Sequence, residues 1–438
     1  MKTMGVRDMV SAPRPLIPIR AVPARPADSR PLTILHVATI NKPIAADIGY
    51  GPIETVIYNL DKGLHELGHR SIVACSADSM VTGEKFATVS RSLGDYWRSA
   101  NPAGKAHIDT HLSRALARAQ AGDIDVIHMH EWFERVYDGS FQPSAPIVMT
   151  LHVPGRNSGV AEFRQRNLGV PAYPGVHFTA ISEHQRKQYA GLLPVTRTVP
   201  HGIDVDDYHF EQTSNRGSYL FSIGRITSVK GQDLAIEVAK RAGAKLILAG
   251  CVQNKEADRA FFARLQPSID LAVDLGGQPA GDDYYERVMK PLLSSGKQCI
   301  YVGELDAAAK KHWYRHAQAT LFPIRWGEPF GMVLIESMAS GTPIVAFREG
   351  AVPEIVRHGE TGFVVDSVEA MVEAVGRIER IDRAACRRHV KTRFSIENMA
   401  ASYATLYRQL AETRARPART LRSAMTVAPM QEAAGLLR

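Results

Sequence analysis

The chain lacks several things that would place it in a class at once. No run of 18 uncharged apolar residues occurs in its 438 positions, so no membrane-spanning helix is expected. Prolines and arginines interrupt every apolar stretch before residue 31, which excludes the layout of a signal peptide. Cysteine is scarce: Cys75, Cys251, Cys299 and Cys386 are scattered, with no C-x-x-C pair. A disulfide or zinc framework is therefore not expected, and reduced thiols of a cytoplasmic protein are. No internal repeat and no G-x-G-x-x-G dinucleotide fingerprint is visible. The body also lacks surplus charge of one sign. Of a formal +8, residues 1–31 carry six Lys/Arg and two Asp, and residues 412–438 carry five Arg and two Glu, leaving about +1 for 32–411. A nucleic-acid binder carries its charge on the folded surface, so no nucleic acid partner is expected. The two basic tails read as disordered. Peripheral contact with an anionic membrane face is the alternative for them, and would put the protein at the inner face of the membrane.

What is present is an ordinary globular composition, 45% apolar and 22% charged, in a chain long enough for two domains. Apolar runs of strand length begin at Leu32–Ala38. A glycine loop follows, and then Ile53, Val56, Ile57, Leu60, Leu64 and Leu67 mark one face of a helix that starts near Pro52 and leaves at Gly68. Ser71–Cys75 is the next strand, completing a βαβ unit, the start of a doubly wound sheet. Further strands are expected at 126–130, 146–152 and 177–181. A polar, aperiodic stretch at 205–217 reads as a linker. A second α/β unit opens at Tyr219–Arg225 and continues through strands at 245–250, 299–302, 320–322, 344–347 and 362–365. The connection 252–298 is long, with a helix expected from Asp282 toward Leu293, and Ser395 caps a last helix through Leu410.

The most informative stretch is Trp326-Gly327-Glu328-Pro329-Phe330-Gly331-Met332-Val333-Leu334-Ile335-Glu336. It follows a buried-strand run, and from Gly331 the apolar spacing turns helical through Met338. Glu328 is thus expected in a strand-to-helix loop and Glu336 about one and a half turns inside the helix. The amides of Phe330, Gly331 and Met332 would be open donors at a positive helix end, suited to anions or polyol oxygens. Together with the trailing Ser340-Gly341-Thr342-Pro343 and Pro353-Glu354-Ile355-Val356, this stretch resembles the E-x7-E element of the retaining GT-B glycosyltransferases of family 4. The resemblance covers roughly residues 32–410 and includes a G-R-x4-K-G pattern at Arg225–Gly231. It also includes a glycine loop with Gly49, Gly51 and Glu54 like the family's GG-x-E, in which Pro52 departs from the second glycine. Val199-Pro200-His201-Gly202-Ile203-Asp204 resembles the family's VPNGID, with His201 in place of Asn.

The resemblance implies an α/β GT-B fold: two Rossmann-like doubly wound domains facing a central cleft, with the C-terminal helix crossing back to the first domain. The expected domains are an acceptor domain at 32–204 plus the crossing helix 395–411, and a donor domain at 218–394. Arg225 and Lys230, just after a strand end, read as a diphosphate clamp, one by paired N–H bonds and one as a point charge. Gly49 and Gly51 would meet the same diphosphate from the other domain. By the resemblance, His152 contacts the transferred sugar, Glu328 lies near that sugar and Glu336 accepts bonds from a ribose. The implied catalytic set is His152, Glu328, Arg225 and Lys230; the donor-binding set adds Gly49, Gly51, Phe330, Gly331, Met332 and Glu336.

No metal is expected. Asp123-x-Asp125 falls before a strand, at the wrong end of a sheet, and Asp204-x-Asp206 falls in the linker. His128 and His130 share a strand face, but no third ligand stands at a recognisable spacing, so they read as cleft or core histidines. The implied activity is retaining transfer of a hexose from a nucleotide-diphosphate sugar, with UDP-glucose the first guess. No other cofactor is implied, and the acceptor is open among a saccharide, a lipid-linked sugar and a small metabolite. A nucleotide-sugar epimerase or hydrolase, or a non-catalytic nucleotide-sugar-binding protein, are the alternatives.

Overall fold

The computed structural model describes residues 30–94, 102–131, 136, 141–155, 175–212 and 218–415. The expectations for residues 1–29, 213–217 and 416–438 fall outside these ranges.

Two seven-stranded parallel sheets carry the fold. In the first, β1 (Thr33–Val37), β2 (Arg70–Ser76), β3 (Glu84–Val89), β4 (Val126–Met129), β5 (Ile147–Thr150), β6 (Val176–Ala180) and β7 (Val195–Thr198) lie in the order 3-2-1-4-5-6-7. In the second, β8 (Tyr219–Ile223), β9 (Lys245–Ala249), β10 (Leu271–Ala272), β11 (Cys299–Tyr301), β12 (Ala319–Phe322), β13 (Ile344–Phe347) and β14 (Gly362–Val365) lie in the order 10-11-9-8-12-13-14. The strand order therefore reverses between β1 and β4 and between β8 and β12. In open α/β sheets, the crevice beyond the strand carboxyl ends at such a switch point is where ligands bind.

Central strands are covered on both faces, which is why they read as unbroken apolar runs: Leu35, Ile72, Ile127, Phe221, Ile247 and Ile344 are fully buried. Helices α1 (Pro52–Glu66), α2 (Pro102–Ala119) and α3 (Glu183–Gln188) serve the first sheet. The second is served by α4 (Gln232–Arg241), α5 (Glu256–Leu265), α6 (Lys290–Leu293), α7 (Ala307–His316), α8 (Met332–Ala339), α9 (Val352–Ile355), α10 (Val368–Val375) and α11 (Arg383–Arg393). The last helix, α12 (Ile396–Ala415), runs beyond the expected end at Leu410. It packs on α1, where a Cβ on Gly63 would stand 2.8 Å from the Cβ of Ala400, so the two backbones approach as closely as only glycine permits. Met399, Ala400, Tyr403, Leu406 and Tyr407 join Leu32, Ile34, Val56, Leu60 and Leu64 in one core. The carboxyl-terminal helix thus completes the amino-terminal half.

Three features differ from the sequence expectations. The edge strands β3 and β7 and the two-residue β10 were not foreseen: exposed or half-exposed, charge-bearing residues hide the strand period in β3 and β7, and β10 is too short to show one. In the 252–298 connection the helix expected toward Leu293 is present, but it opens as a π-turn at Tyr285–Met289 ahead of α6, and a ten-residue helix, α5, was not foreseen. The stretch beginning at residue 205 is not a loose linker over its described part. Val205 and Tyr208 are buried in the core of the second half, and Asp206 pairs with Arg387 and Lys391 of α11. Two hydrophobic anchors three positions apart, Val205 and Tyr208, with Asp206 and Asp207 between them, account for the misreading.

Candidate functional site

The geometry of the second half begins at two glycines. Gly224 directly follows β8 and Gly250 directly follows β9. A Cβ on Gly250 would fall 1.8 Å from the carbonyl oxygen of Gly224, so only bare backbone lets the two strand ends lie together. Arg225 leaves from this point. One guanidinium nitrogen donates to Gln253 Oε1 at 3.0 Å, while its buried Nε has no partner and no carboxylate pairs with it among the described residues. The carbonyl of Arg225 is held by Gln232 Nε2 at 2.9 Å. Lys230 closes the turn Ser228–Lys230. The next residue, Gly231, has φ of +72°, and a Cβ there would be 2.0 Å from the Pro323 carbonyl oxygen. The turn is thereby pressed against the segment that carries Glu328.

Glu328 stands in the loop between β12 and α8, as expected. Its Oε2 accepts from Lys230 Nζ at 2.7 Å and from the indole N–H of Trp326 at 2.8 Å. Lys230 and Glu328 are 19% and 12% exposed, a half-desolvated pair whose charges are screened less than surface ones. Lys230 also lies 5.5 Å from the centre of the Trp326 ring. Gly331, at φ +101°, caps α8, and among the described residues no backbone acceptor takes the amides of Phe330, Gly331 or Met332. Phe330 itself is buried, edge-on to His201 and Phe394. Glu336 is 6% exposed and spends one oxygen on Lys310 Nζ at 2.8 Å and the other on the Tyr314 hydroxyl at 3.1 Å. It therefore anchors α8 to α7, and only the second lone pair of each oxygen is left for any ribose.

From the first half, the loop ahead of α1 reaches the same crevice. Gly51 heads the helix, and the amide of Tyr50 donates to Glu304 Oε1 at 3.1 Å across the cleft. A Cβ on Gly49 would sit 3.1 Å from that oxygen. Lys42 lies 5.8 Å from the Tyr50 ring centre. Burial pushes the thiol of Cys251 up to about 11; Glu304 adds to the shift, while Lys42 and Arg225 oppose it. Lys42, Arg225 and Glu304 thus act on one spot. Glu54 is held by Thr39 Oγ1 at 2.8 Å and fixes the base of the loop. His152 follows β5, with Nε2 3.2 Å from His130 Nδ1, and burial draws it down to about 4, so it is neutral at physiological pH.

The structure thus brings Arg225, Lys230, Glu328 and the 330–332 amides together on one wall, with Gly49, Gly51 and His152 on the other. Glu304, Lys42, Gln253, Lys310 and Tyr314 went unnoticed in the sequence. For Glu304 a signal existed, since Val302-Gly303-Glu304 directly follows β11 and strand carboxyl ends face the crevice. The two D-x-D pairs are spent elsewhere: Asp123 on Arg70 and Arg118, Asp125 on Arg30, Asp204 on Lys62. The third imidazole absent from the sequence spacing of His128 and His130 is His36, which the register of β1 and β4 places beside His128.

Comparison with known proteins agrees with this geometry. The family model described as "Glycosyltransferase Family 4" matches residues 51–207, and that described as "Glycosyl transferases group 1" matches 204–393. A D-inositol 3-phosphate glycosyltransferase of Geodermatophilus obscurus is 27% identical over 90% of this chain and 91% of its own length. The lipopolysaccharide core biosynthesis mannosyltransferase LpsB of Rhizobium meliloti is 28% identical over 50% of this chain. The chain spans 63% and 66% of the length of two further D-inositol 3-phosphate glycosyltransferases, from Pseudarthrobacter chlorophenolicus and Acidothermus cellulolyticus. Among solved structures, a sucrose-phosphate synthase from Thermosynechococcus elongatus superposes with a TM-score of 0.64 at 18% identity, covering 88% of this chain and all of that one. The glycosyltransferase AviGT4 of avilamycin A biosynthesis gives 0.59 at 21% identity, covering 87% of this chain and 99% of its own. With two parallel sheets facing one cleft and family models matching both halves, the chain belongs to the GT-B glycosyltransferases of the family 4, group 1 type.

Proposed function

We propose that the protein transfers a hexose from a nucleotide-diphosphate sugar to an acceptor hydroxyl with retention of anomeric configuration. The observation that carries this reading is the convergence on one crevice of Arg225, without a carboxylate partner, of Lys230, and of the glycine-loop amide that already grips a carboxylate, Glu304. Cations and helix starts of this kind neutralise a departing diphosphate. The acceptor oxygen forms its bond to the anomeric carbon on the face from which the diphosphate leaves. The carbon–oxygen bond to phosphate breaks with its electron pair, and the acceptor's proton passes to that phosphate oxygen. Arg225 and Lys230 hold the charge, with no protein carboxylate used as nucleophile. Glu328, locked by Lys230 and Trp326, is placed to take a sugar hydroxyl, and His152 another. With these cations in place the step needs no divalent ion.

UDP-glucose is the first donor to try and GDP-mannose the second, since the matched relatives include mannosyltransferases. A polyol or polyol phosphate, free or lipid-linked, is the proposed acceptor class, on the likeness to inositol-phosphate and phosphatidylinositol enzymes. No helix among the described residues is long and apolar enough to cross a membrane. A lipid-linked acceptor would thus be met at a membrane surface, through the basic tails.

The test is product analysis with each donor, with and without a polyol acceptor panel. A new glycoside with unchanged anomeric configuration supports the reading. Donor consumption without any acceptor points to a hydrolase or epimerase. Tight donor binding with no turnover on any acceptor points to a binding protein.

A further inference from the structure

Five imidazoles form a line along the carboxyl edge of the first sheet. His36 and His128 stand side by side on β1 and β4, His130 follows β4, His152 follows β5, and His201 lies beyond β7. Ring centres are 5.8 Å apart for His36 and His130, 5.4 Å for His130 and His152, and 5.6 Å for His152 and His201. Burial draws His36 and His152 down to about 4 and the other three well below their ordinary range, so each ring carries a single proton. Where that proton sits is then a matter of counting partners.

The ligand atoms of His36, His128 and His130 lie within 4.8 Å of one another, close enough to consider a metal. His128, however, already spends Nδ1 on the Tyr407 hydroxyl at 2.6 Å and Nε2 on the Thr150 hydroxyl at 2.7 Å. The carboxylate that acts on His36 is Asp61, whose oxygens are taken by Ser71, Thr82 and Gly83. With both nitrogens of His128 engaged, a divalent ion there would have at most two imidazoles and no carboxylate among the described residues, so a hydrogen-bonded chain is the better account.

The chain has a direction. His36 Nε2 is buried with no partner among the described residues, and a bare lone pair is tolerated there more readily than an unmatched N–H. The proton of His36 therefore sits on Nδ1, whose neighbour is His130 Nε2 at 3.5 Å. His130 must accept at Nε2, carry its proton on Nδ1 and donate to His152 Nε2 at 3.2 Å. That leaves His152 with its proton on Nδ1, an atom with no protein partner among the described residues and not sealed in the core. His201 stacks on the same ring at 20° and keeps it from turning.

We propose that His36 and His130 are positioning residues that fix the tautomer of His152, so that it offers Nδ1–H as a hydrogen-bond donor to a hydroxyl of the transferred sugar. This rests on the assignment of His152 as a sugar contact. The same assignment makes His152 a poor proton acceptor in the transfer, because the only lone pair on its ring already points at His130.

The test is a long-range proton–nitrogen correlation spectrum of the full chain with nitrogen-15 histidine, assigned with single variants. His36, His130 and His152 should all appear as the Nδ1–H form, the less common one for a free histidine. His130→Leu should release His152 from that form and lower kcat about tenfold, the worth of one lost hydrogen bond, while His130→Asn, whose amide can stand in for Nδ1–H, should restore both. A wild-type His152 in the Nε2–H form would overturn the proposal, as would Leu and Asn variants that behave alike. Stoichiometric metal in the purified wild type, lost in His130→Leu, would overturn it in favour of a metal site. If His130→Leu does not fold, the wild-type spectrum still decides. Full activity in His152→Ala would remove the sugar contact but leave the tautomer chain standing, which separates the two failures.

Discussion

Gly350 lies with its backbone against that of Glu328: a Cβ at Gly350 would be 2.3 Å from both the amide nitrogen and the carbonyl oxygen of Glu328. The same carbonyl accepts the amide of Ala351 at 2.9 Å, so the loop after β13 is the bed on which Glu328 rests. Gly350 also adopts φ +58°. Gly350→Ala should therefore shift Glu328 by a substantial part of an ångström and cost on the order of a hundredfold in kcat/KM. Donor-dependent kinetics beside a melting curve checks this; normal kinetics would mean that the position of Glu328 is unimportant.

Arg225→Ala and Lys230→Ala should each lower turnover by about 10²–10³-fold, the loss measured for a preorganised donor at a developing charge. The two differ in a second readout. Removing Lys230 leaves Glu328 without its cation in a half-buried place, so Lys230→Ala should also lower the melting temperature. Arg225, with no carboxylate partner among the described residues, should show little such effect. Single-turnover rates and calorimetry together separate these outcomes.

Glu304 places a carboxylate on the amide that a diphosphate would use. Glu304→Ala should tighten binding of a nucleoside diphosphate several-fold, because a competing anion and its repulsion both disappear. Isothermal titration at two salt concentrations would show it, with the gain shrinking at higher salt. Weaker binding in the variant would mean that Glu304 orders the loop instead of competing for it.

Acid should unfold the protein early. His36 and His111 are fully buried and drawn from 6.5 to about 4 by burial. Their folded values lie below the unfolded one, so the stability tied to their neutral forms is complete above pH 6.5 and is lost as pH falls toward 4. A shift of this size weighs about 3 kcal/mol per residue at the acid end. The melting temperature should thus fall steeply over that window. His111→Gln, beside Thr88 and the Ala38 carbonyl, should flatten the fall even if it lowers the plateau.

How much of this was legible follows from particular residues. The period of Ile53 to Leu67 gives α1 directly, because one buried face imposes one spacing. The unbroken runs of β1, β4 and β8 are legible because both faces are covered. β3, with Glu84 and Lys85 exposed at an edge, satisfies no such rule. At the site, Glu328 and Arg225 could be named from local motifs. What they touch could not: Lys230 and Glu328 are 98 positions apart, and Tyr50 and Glu304 are 254 apart. The pairing of β8 with β12 sets the first meeting and the approach of the two halves across the cleft sets the second; neither follows from spacing along the chain. His36 was invisible beside His128 for the same reason.

The seating of α12 on α1 has a consequence for how the molecule comes into being. During synthesis the first half emerges with the groove meant for Tyr403 and Tyr407 bare, and the whole second half must follow before the missing helix arrives. At about 5–20 residues per second that interval is on the order of ten seconds or more. Through it, Leu32, Ile34 and Leu60 lack their cover from α12, and the core of the first half can close only after the second half has been made.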